Sequence, residues 1–296
     1  MNSAHNLNPL MKTLPVRVRQ FPQFARQTWQ RARVLRQPVR RMPTFHLCYF
    51  SCESYYQYLY CALHSLKTAL RDVPHRVLVF SDTDMPLTPV QIAGLQQLMP
   101  GLRVIPWPKS MGWGAQQISN IWRAYALAAQ DAADDDIIAR VDSDVFFFND
   151  RIFQAAARSS ADFVGDGHFV DFRFCQGGCY FLRGRAVRAV LGLLAREPME
   201  QLAKEVPVVV EDVMAYHLVK RAGLRTWMTW FMMFPDELRI AGGLTDWQRW
   251  KFSCVHFVMK NKNKMLEAYH AHVLQGQLPG DYRPDAALTL QPQPVR

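Results

Sequence analysis

The sequence predicts an α/β fold in which a mainly parallel central sheet is covered by helices on both faces. Three observations carry this expectation. From Phe45 onward, short β-branched or aromatic runs alternate with longer segments of helical spacing, the pattern of repeated βαβ units. The run Ile137-Ile138-Ala139-Arg140-Val141-Asp142-Ser143-Asp144-Val145-Phe146-Phe147-Phe148 reads as one buried strand interrupted by two aspartates one residue apart. A chain of 296 residues with 49% hydrophobic content can also bury one large core.

The first 42 residues stand apart. They hold nine of the 35 Lys and Arg and none of the 25 Asp and Glu, leaving 26 basic against 25 acidic residues elsewhere, a net of +1 out of +10. The body is therefore close to neutral, and nucleic acid is not an expected partner. Phe21, Phe24, Ala25, Thr28, Ala32 and Leu35 recur at roughly helical spacing between arginines. That suits an amphipathic helix, within residues 11–41, on an anionic membrane surface. A flexible basic tail or a transit peptide is the alternative. No stretch approaches the ~18 apolar residues of a membrane span. The expected location is cytoplasmic, with peripheral attachment at the inner membrane surface if the helix binds lipid.

Residues 43–274 form the expected main domain, in two halves (43–148 and 149–274), with a Pro- and Gln-rich tail over 275–296. In order, Phe45–Phe50 reads as a strand, Tyr55–Leu70 as a helix, Arg76–Phe80 as a strand, Pro89–Leu98 as a helix and Leu102–Ile105 as a strand. Prolines, glycines and tryptophans make Pro106–Ser119 a loop, with Ser119 capping a helix over Ile121–Ala129. After the central strand come a helix to Ala157, strands over Asp162–Val164 and Cys179–Leu182, and a helix over Arg185–Ala195. A further helix, opened by Glu211-Asp212, ends before Gly223. The last dense segment is Cys254–Lys262.

Asp-x-Asp occurs three times, but Asp82-Thr83-Asp84 and Asp134-Asp135-Asp136 have the surroundings of a turn and a polar loop. Only Asp142 and Asp144 have apolar strand sequence on both sides. Carboxylates at a strand's carboxyl end stand where open α/β sheets bind ligands, and they suit Mn²⁺ or Mg²⁺ with positions left for a diphosphate. The chain therefore reads as a metal-dependent enzyme acting on a nucleotide-activated substrate.

His256 is a candidate third ligand, or a satisfied core histidine beside Phe257. Lys260 and Lys262 offer charge to a diphosphate, or form a solvated loop. Glu211-Asp212 either cap a helix or provide Asp212 as a general base. Gly177 and Gly178 allow close backbone approach to a substrate, or make a plain turn. Arg123 reaches phosphate or stays on the surface. The six cysteines lack any Cys-x-x-Cys pair and read as reduced core thiols. A zinc site on Cys175 and Cys179 is the lesser reading.

From Thr44 to about Met265 the order of these parts resembles the GT-A-type glycosyltransferases, with a Rossmann-like βαβ half, a strand ending in Asp-x-Asp, a glycine-containing strand approach, a Glu-Asp pair and a late histidine. The resemblance implies that 43–274 is a catalytic domain with a nucleotide-binding half (43–148) and an acceptor half (149–274), and a metal site of Asp142, Asp144 and His256 holding Mn²⁺ or Mg²⁺. It implies a nucleotide-sugar donor, expected as a UDP-sugar, and an acceptor hydroxyl on a glycan, a lipid-linked molecule or another compound. Gln176-Gly177-Gly178-Cys179 is similar to the glycine loop beside donor and acceptor, and Val210-Glu211-Asp212 to the x-Glu-Asp motif, placing Glu211 at the catalytic position with Asp212 as base. Phe50, Arg123, Asp142, Lys260 and Lys262 then fall on the donor side.

A Glu-Asp base implies inverting transfer, whereas His256-Phe257 with Lys262 is similar to the His-Phe…Lys signature of the glycogenin-like retaining family. Inversion is the expectation carried forward. A sugar-phosphate nucleotidyltransferase would place a Gly-rich basic loop where this chain has Phe50-Ser51-Cys52-Glu53-Ser54. An Asp-x-Asp phosphatase would place its motif after the first strand. A scaffold docked through the basic terminus would show no response to metal and nucleotide.

Overall fold

A computed structural model describes residues 16–39, 41–110, 113–167, 174–233, 250–257 and 262–269. The described course begins with helix α1 (Val16–Leu35). Strands β1 (Phe45–Ser51), β2 (His75–Asp82) and β3 (Arg103–Trp107) alternate with helices α2 (Tyr56–Ala69) and α3 (Pro89–Leu98). Helix α4 (Ala115–Gln130) leads to β4 (Ile137–Asp142). The second half contains β5 (Val145–Phe147), α5 (Arg151–Arg158), β6 (Phe163–Asp166), β7 (Cys179–Arg183), α6 (Gly184–Leu194), α7 (Met199–Leu202) and α8 (Glu211–Arg221). It closes with β8 (Thr226–Thr229), β9 (Met232–Met233), β10 (Cys254–His256) and α9 (Lys262–Tyr269).

Seven strands form the main sheet in the order β3-β2-β1-β4-β7-β6-β8. The β1–β2, β2–β3 and β1–β4 pairs are parallel, while β7 runs antiparallel to both β4 and β6. Side chains on successive strand residues point to opposite faces, and every residue of β1 is buried. Phe45, Leu47 and Tyr49 therefore enter a core with α2, α3, α5 and α9, while Cys48 and Phe50 enter a second core with α4, α6 and α8. Burial on both faces explains why these strands are uniformly apolar rather than alternating.

Helix α3 has the bounds expected from its sequence, because Thr88 and Gln91 make reciprocal capping bonds around Pro89. Helix α4 begins earlier than expected. Gly114, at φ 114°, takes a conformation that favours glycine and closes the loop, so Ser119 lies inside the helix instead of capping it.

The larger departure is in the central run, which is two strands in two sheets. β4 stops at Asp142, Ser143 donates its hydroxyl to the Phe50 carbonyl at 3.2 Å, and β5 leaves to form a three-stranded sheet in the order β5-β10-β9. The apolar residues of β5 are buried by that sheet and by α2, whose Ser65 hydroxyl accepts the Phe147 N–H at 2.9 Å. Apolar character on both sides of Asp-x-Asp was thus a sign of burial, not of one continuous strand.

Helix α1 lies against the body through a polar pair one turn apart. Gln27 and Arg31 are buried, and Arg31 Nη1 donates to the Trp230 carbonyl at 3.0 Å. Of the apolar residues expected to face lipid, Ala25 is exposed, Thr28 and Ala32 are half-buried, and Leu35 packs against the core. The side chains of Phe21 and Phe24 lie outside those described, as does the 275–296 tail. The outward stripe carries Arg26, Trp29 and Arg33, with Trp29 63% exposed and Arg33 over its ring. Among the described residues, no helix is long and apolar enough to cross a membrane.

Candidate active site

The two sheets meet at Asp142-Ser143-Asp144. Parallel pairing sets Phe50 opposite Asp142 at the carboxyl ends of β1 and β4, and the Asp142 N–H donates to the Gly178 carbonyl at 2.9 Å just before β7. In the small sheet, His256 pairs with Val145, and the Phe257 N–H donates to the Asp144 carbonyl at 2.9 Å. Strand register therefore brings residues more than a hundred positions apart to one point.

Asp142, Asp144 and His256 each offer a ligand atom there, all within 4.8 Å of one another. His256 Nε2 lies 3.2 Å from Asp144 Oδ1 and 3.6 Å from Asp142 Oδ2. Two carboxylate oxygens and an imidazole nitrogen form a donor set suited to Mn²⁺ or Mg²⁺. The orientation of the ring favours this role: buried Nδ1 has no hydrogen-bond partner among the described residues, and a Cβ on Gly178 would run into it. Gly178 therefore makes room for His256, and Nε2 is left to face the carboxylates.

Without a metal the site balances its own charge. Burial pushes the Asp144 carboxyl up, but His256 and Lys262 hold it below its ordinary value. Burial pushes the His256 imidazole down, but Asp144 and then Asp142 raise it overall. Lys262 Nζ stands 3.5 Å from Asp144 Oδ2, also bonds the Tyr55 hydroxyl and lies 4.0 Å from the centre of that ring. A cation binding here would displace the imidazole proton, since metal ligation needs neutral histidine.

A second network extends below the first. Arg140 and Asp142 share a face of β4, and Tyr180 on β7 is the register partner of Arg140. Arg140 donates from Nε at 3.1 Å and Nη2 at 2.7 Å to Asp142 Oδ1, while Nη1 pairs with Glu211 Oε2. The Tyr180 hydroxyl donates to Glu211 Oε1 and meets the Tyr125 hydroxyl at 2.7 Å. Burial raises the Glu211 carboxyl to about 7 despite the opposing pull of Arg140. Both Glu211 oxygens are thus engaged inside the protein.

Asp212 is less enclosed. Its Oδ1 accepts the Val213 N–H at 2.8 Å, and a Cβ on Gly177 would lie 3.5 Å from Oδ2. Burial raises its pKa, and nearby Asp142 adds to the rise. A carboxylate with this bias holds a proton more readily than a free one, which suits a general base.

The Phe50 ring is buried and stacks on Phe80 at 5.2 Å, with the Arg140 guanidinium 5.9 Å from its centre, and its carbonyl accepts the Ser143 hydroxyl. Arg123 is exposed, with its guanidinium 5.7 Å from the Trp107 ring centre. Lys260 lies outside the described residues. Asp84 N–H bonds Asp82 Oδ1 at 2.8 Å in a turn, while Asp134 and Asp135 pair with Arg188 and Arg185. All six cysteines are free and buried, and none joins a metal cluster among the described residues.

No protein-family model and no curated protein matches the chain. Solved structures do match. The galactosyltransferase LgtC, in complex with donor and acceptor sugar analogues, is 13% identical with TM-score 0.47, over 80% of this chain and 98% of its own. Mannosyltransferase PcManGT from Pyrobaculum calidifontis, in complex with GDP-Man and Mn²⁺, is 13% identical with TM-score 0.45, over 90% and 74%. The bifunctional glycosyltransferase WbbM is 10% identical with TM-score 0.51, over 78% of this chain and 50% of its own. At such identity the likeness is one of fold, and the chain has a GT-A-type α/β/α sandwich.

Proposed function

We propose that the chain is a metal-dependent glycosyltransferase that moves a sugar from a nucleotide-diphosphate sugar, with a UDP-sugar as the first candidate, to an acceptor hydroxyl on a glycan or lipid-linked molecule. The observation that carries this reading is the Asp142, Asp144 and His256 cluster at the carboxyl edge of β1 and β4. A divalent cation held by these residues would neutralise charge developing on the diphosphate oxygens. Lys262 adds a further positive charge beside the same carboxylates.

Asp212 takes the proton of the acceptor hydroxyl as its oxygen bonds to the anomeric carbon and the bond from that carbon to the diphosphate oxygen breaks. Attack opposite the leaving diphosphate inverts the anomeric configuration. Glu211, with both oxygens engaged, anchors the start of α8 beneath Asp212. The outward Arg26, Trp29 and Arg33 of α1 offer a face to an anionic membrane surface. Charge reversal at Arg26 and Arg33 should weaken binding to anionic vesicles, and unchanged binding would remove that part of the reading.

The principal test combines thermal unfolding with turnover. Mn²⁺ plus a nucleoside diphosphate should raise the melting temperature, because ligands bound by the native state stabilise it. A nucleotide-sugar panel should show metal-dependent release of nucleoside diphosphate. Asp212→Asn should bind donor almost normally while losing transfer by about 10²–10⁴-fold. A product that retains the donor's configuration would assign Asp212 a different role.

A further inference from the structure

We propose that Arg140 is a positioning residue that fixes which oxygen Asp142 presents to the metal. The proposal rests on the reading of Asp142, Asp144 and His256 as metal ligands. Arg140 is a charged residue flanked by apolar residues in β4, and its guanidinium has three separate engagements. Nε and Nη2 both reach Asp142 Oδ1, at 3.1 and 2.7 Å, and Nη1 reaches Glu211 Oε2. The other Asp142 oxygen, Oδ2, faces His256 Nε2 at 3.6 Å.

The two oxygens of Asp142 therefore have different work. Oδ1 is saturated by two charge-assisted bonds that turn the carboxylate about its Cβ–Cγ bond, and Oδ2 is directed towards Asp144 and His256. Glu211 holds the far end of the guanidinium, and the Tyr180 hydroxyl fixes Glu211 in turn. Lysine could keep the charge but not this arrangement, because a single ammonium lacks the planar fork that spans two carboxylates. Orientation by such outer partners is what sets the affinity of a metal site built from few ligands.

The test measures Mn²⁺ affinity directly, from the electron paramagnetic resonance signal of free Mn²⁺, in the intact protein without donor. Arg140→Lys should weaken Mn²⁺ binding by about 10–100-fold. Glu211→Gln should change it by less than threefold, since the Arg140 and Asp142 pair survives. The contrast separates orientation of Asp142 from general damage, because both substitutions disturb the same buried network. If Arg140→Lys does not fold, the paired Arg140→Gln/Glu211→Gln variant removes both charges together and should show the same weakening. Wild-type affinity in either Arg140 variant, or equal weakening in Glu211→Gln, would overturn the proposal. Absence of Mn²⁺ binding by the wild-type protein would instead remove the metal reading beneath it.

Discussion

Asp142 and Asp144 are separated by one residue, yet they belong to different parts of the molecule. Asp142 ends a strand of the main sheet and is held by Arg140 from its own strand, with 28% of its side chain exposed. Asp144 opens the small sheet, is 8% exposed, and is held by His256 and Lys262 from the far end of the chain. The shortest side-chain tie of Asp142 is local, whereas both partners of Asp144 come from the far end of the chain. The difference teaches that an Asp-x-Asp motif can be a junction between two sheets as well as a pair of ligands.

The sharpest way to break this comparison is to delete each carboxylate in turn. Asp144→Ala takes from His256 and Lys262 the carboxylate they share, and removing one partner of a buried pair costs about 3–5 kcal/mol. Asp142→Ala leaves Arg140 with Glu211, and losing a charged hydrogen-bond partner at that more exposed position costs about 1–3 kcal/mol. Urea unfolding without metal should reproduce that order. Both variants should lose the melting shift given by Mn²⁺ and nucleoside diphosphate. Equal stability losses would mean that the two sheets are not joined through Asp144.

A smaller effect probes the network under Asp142. Glu211 rises from 4.5 to about 7 in the folded protein, so between those values the native state binds a proton that the unfolded state has released. Stability from this group is therefore greatest below pH 4.5 and falls as pH rises towards 7, by about 3 kcal/mol at most. Subtracting the Glu211→Gln stability profile from the wild-type profile should isolate that slope. A flat difference would place the Glu211 pKa near its unfolded value.

The smallest effect concerns Lys262. Its side chain is 18% exposed and its ammonium is 3.5 Å from Asp144 Oδ2. Lys262→Met should cost no more than about 1 kcal/mol in urea unfolding, as for a partly solvated ion pair. A larger loss would make Lys262, rather than His256, the main partner of Asp144.

Much of the first half was legible because its signals are local. Uniformly apolar strands and the proline that opens α3 act within a few residues, while the Thr88 and Gln91 capping box and Gly114 are equally local but emerge only from the structure. The site was legible as a set of residue types, and Asp142, Asp144 and His256 do converge. Their convergence depends on β5 leaving the main sheet to pair with β10, a contact over more than a hundred residues that periodicity cannot encode. Arg140 did carry a signal, since a charge set between apolar residues of a buried strand requires a partner. Nothing local marked Tyr180 as the residue that would hold Glu211. In the sequence Gly178 reads as allowing close approach to a substrate or making a plain turn, and in the fold its missing Cβ also accommodates the His256 ring.

The six unpaired, buried thiols give the chain built-in clocks. Burial pushes the Cys48 and Cys254 thiols upward, so neither reacts readily while covered, and an alkylating reagent reaches them when the structure opens. Cys48 lies within β1 of the main sheet and Cys254 opens β10 of the small one. Their separate labelling rates therefore time the opening of each sheet in the same molecule. A cation that binds Asp144 and His256 together should slow Cys254 more than Cys48, which turns one ordinary thiol into a gauge of site closure that needs no sugar donor.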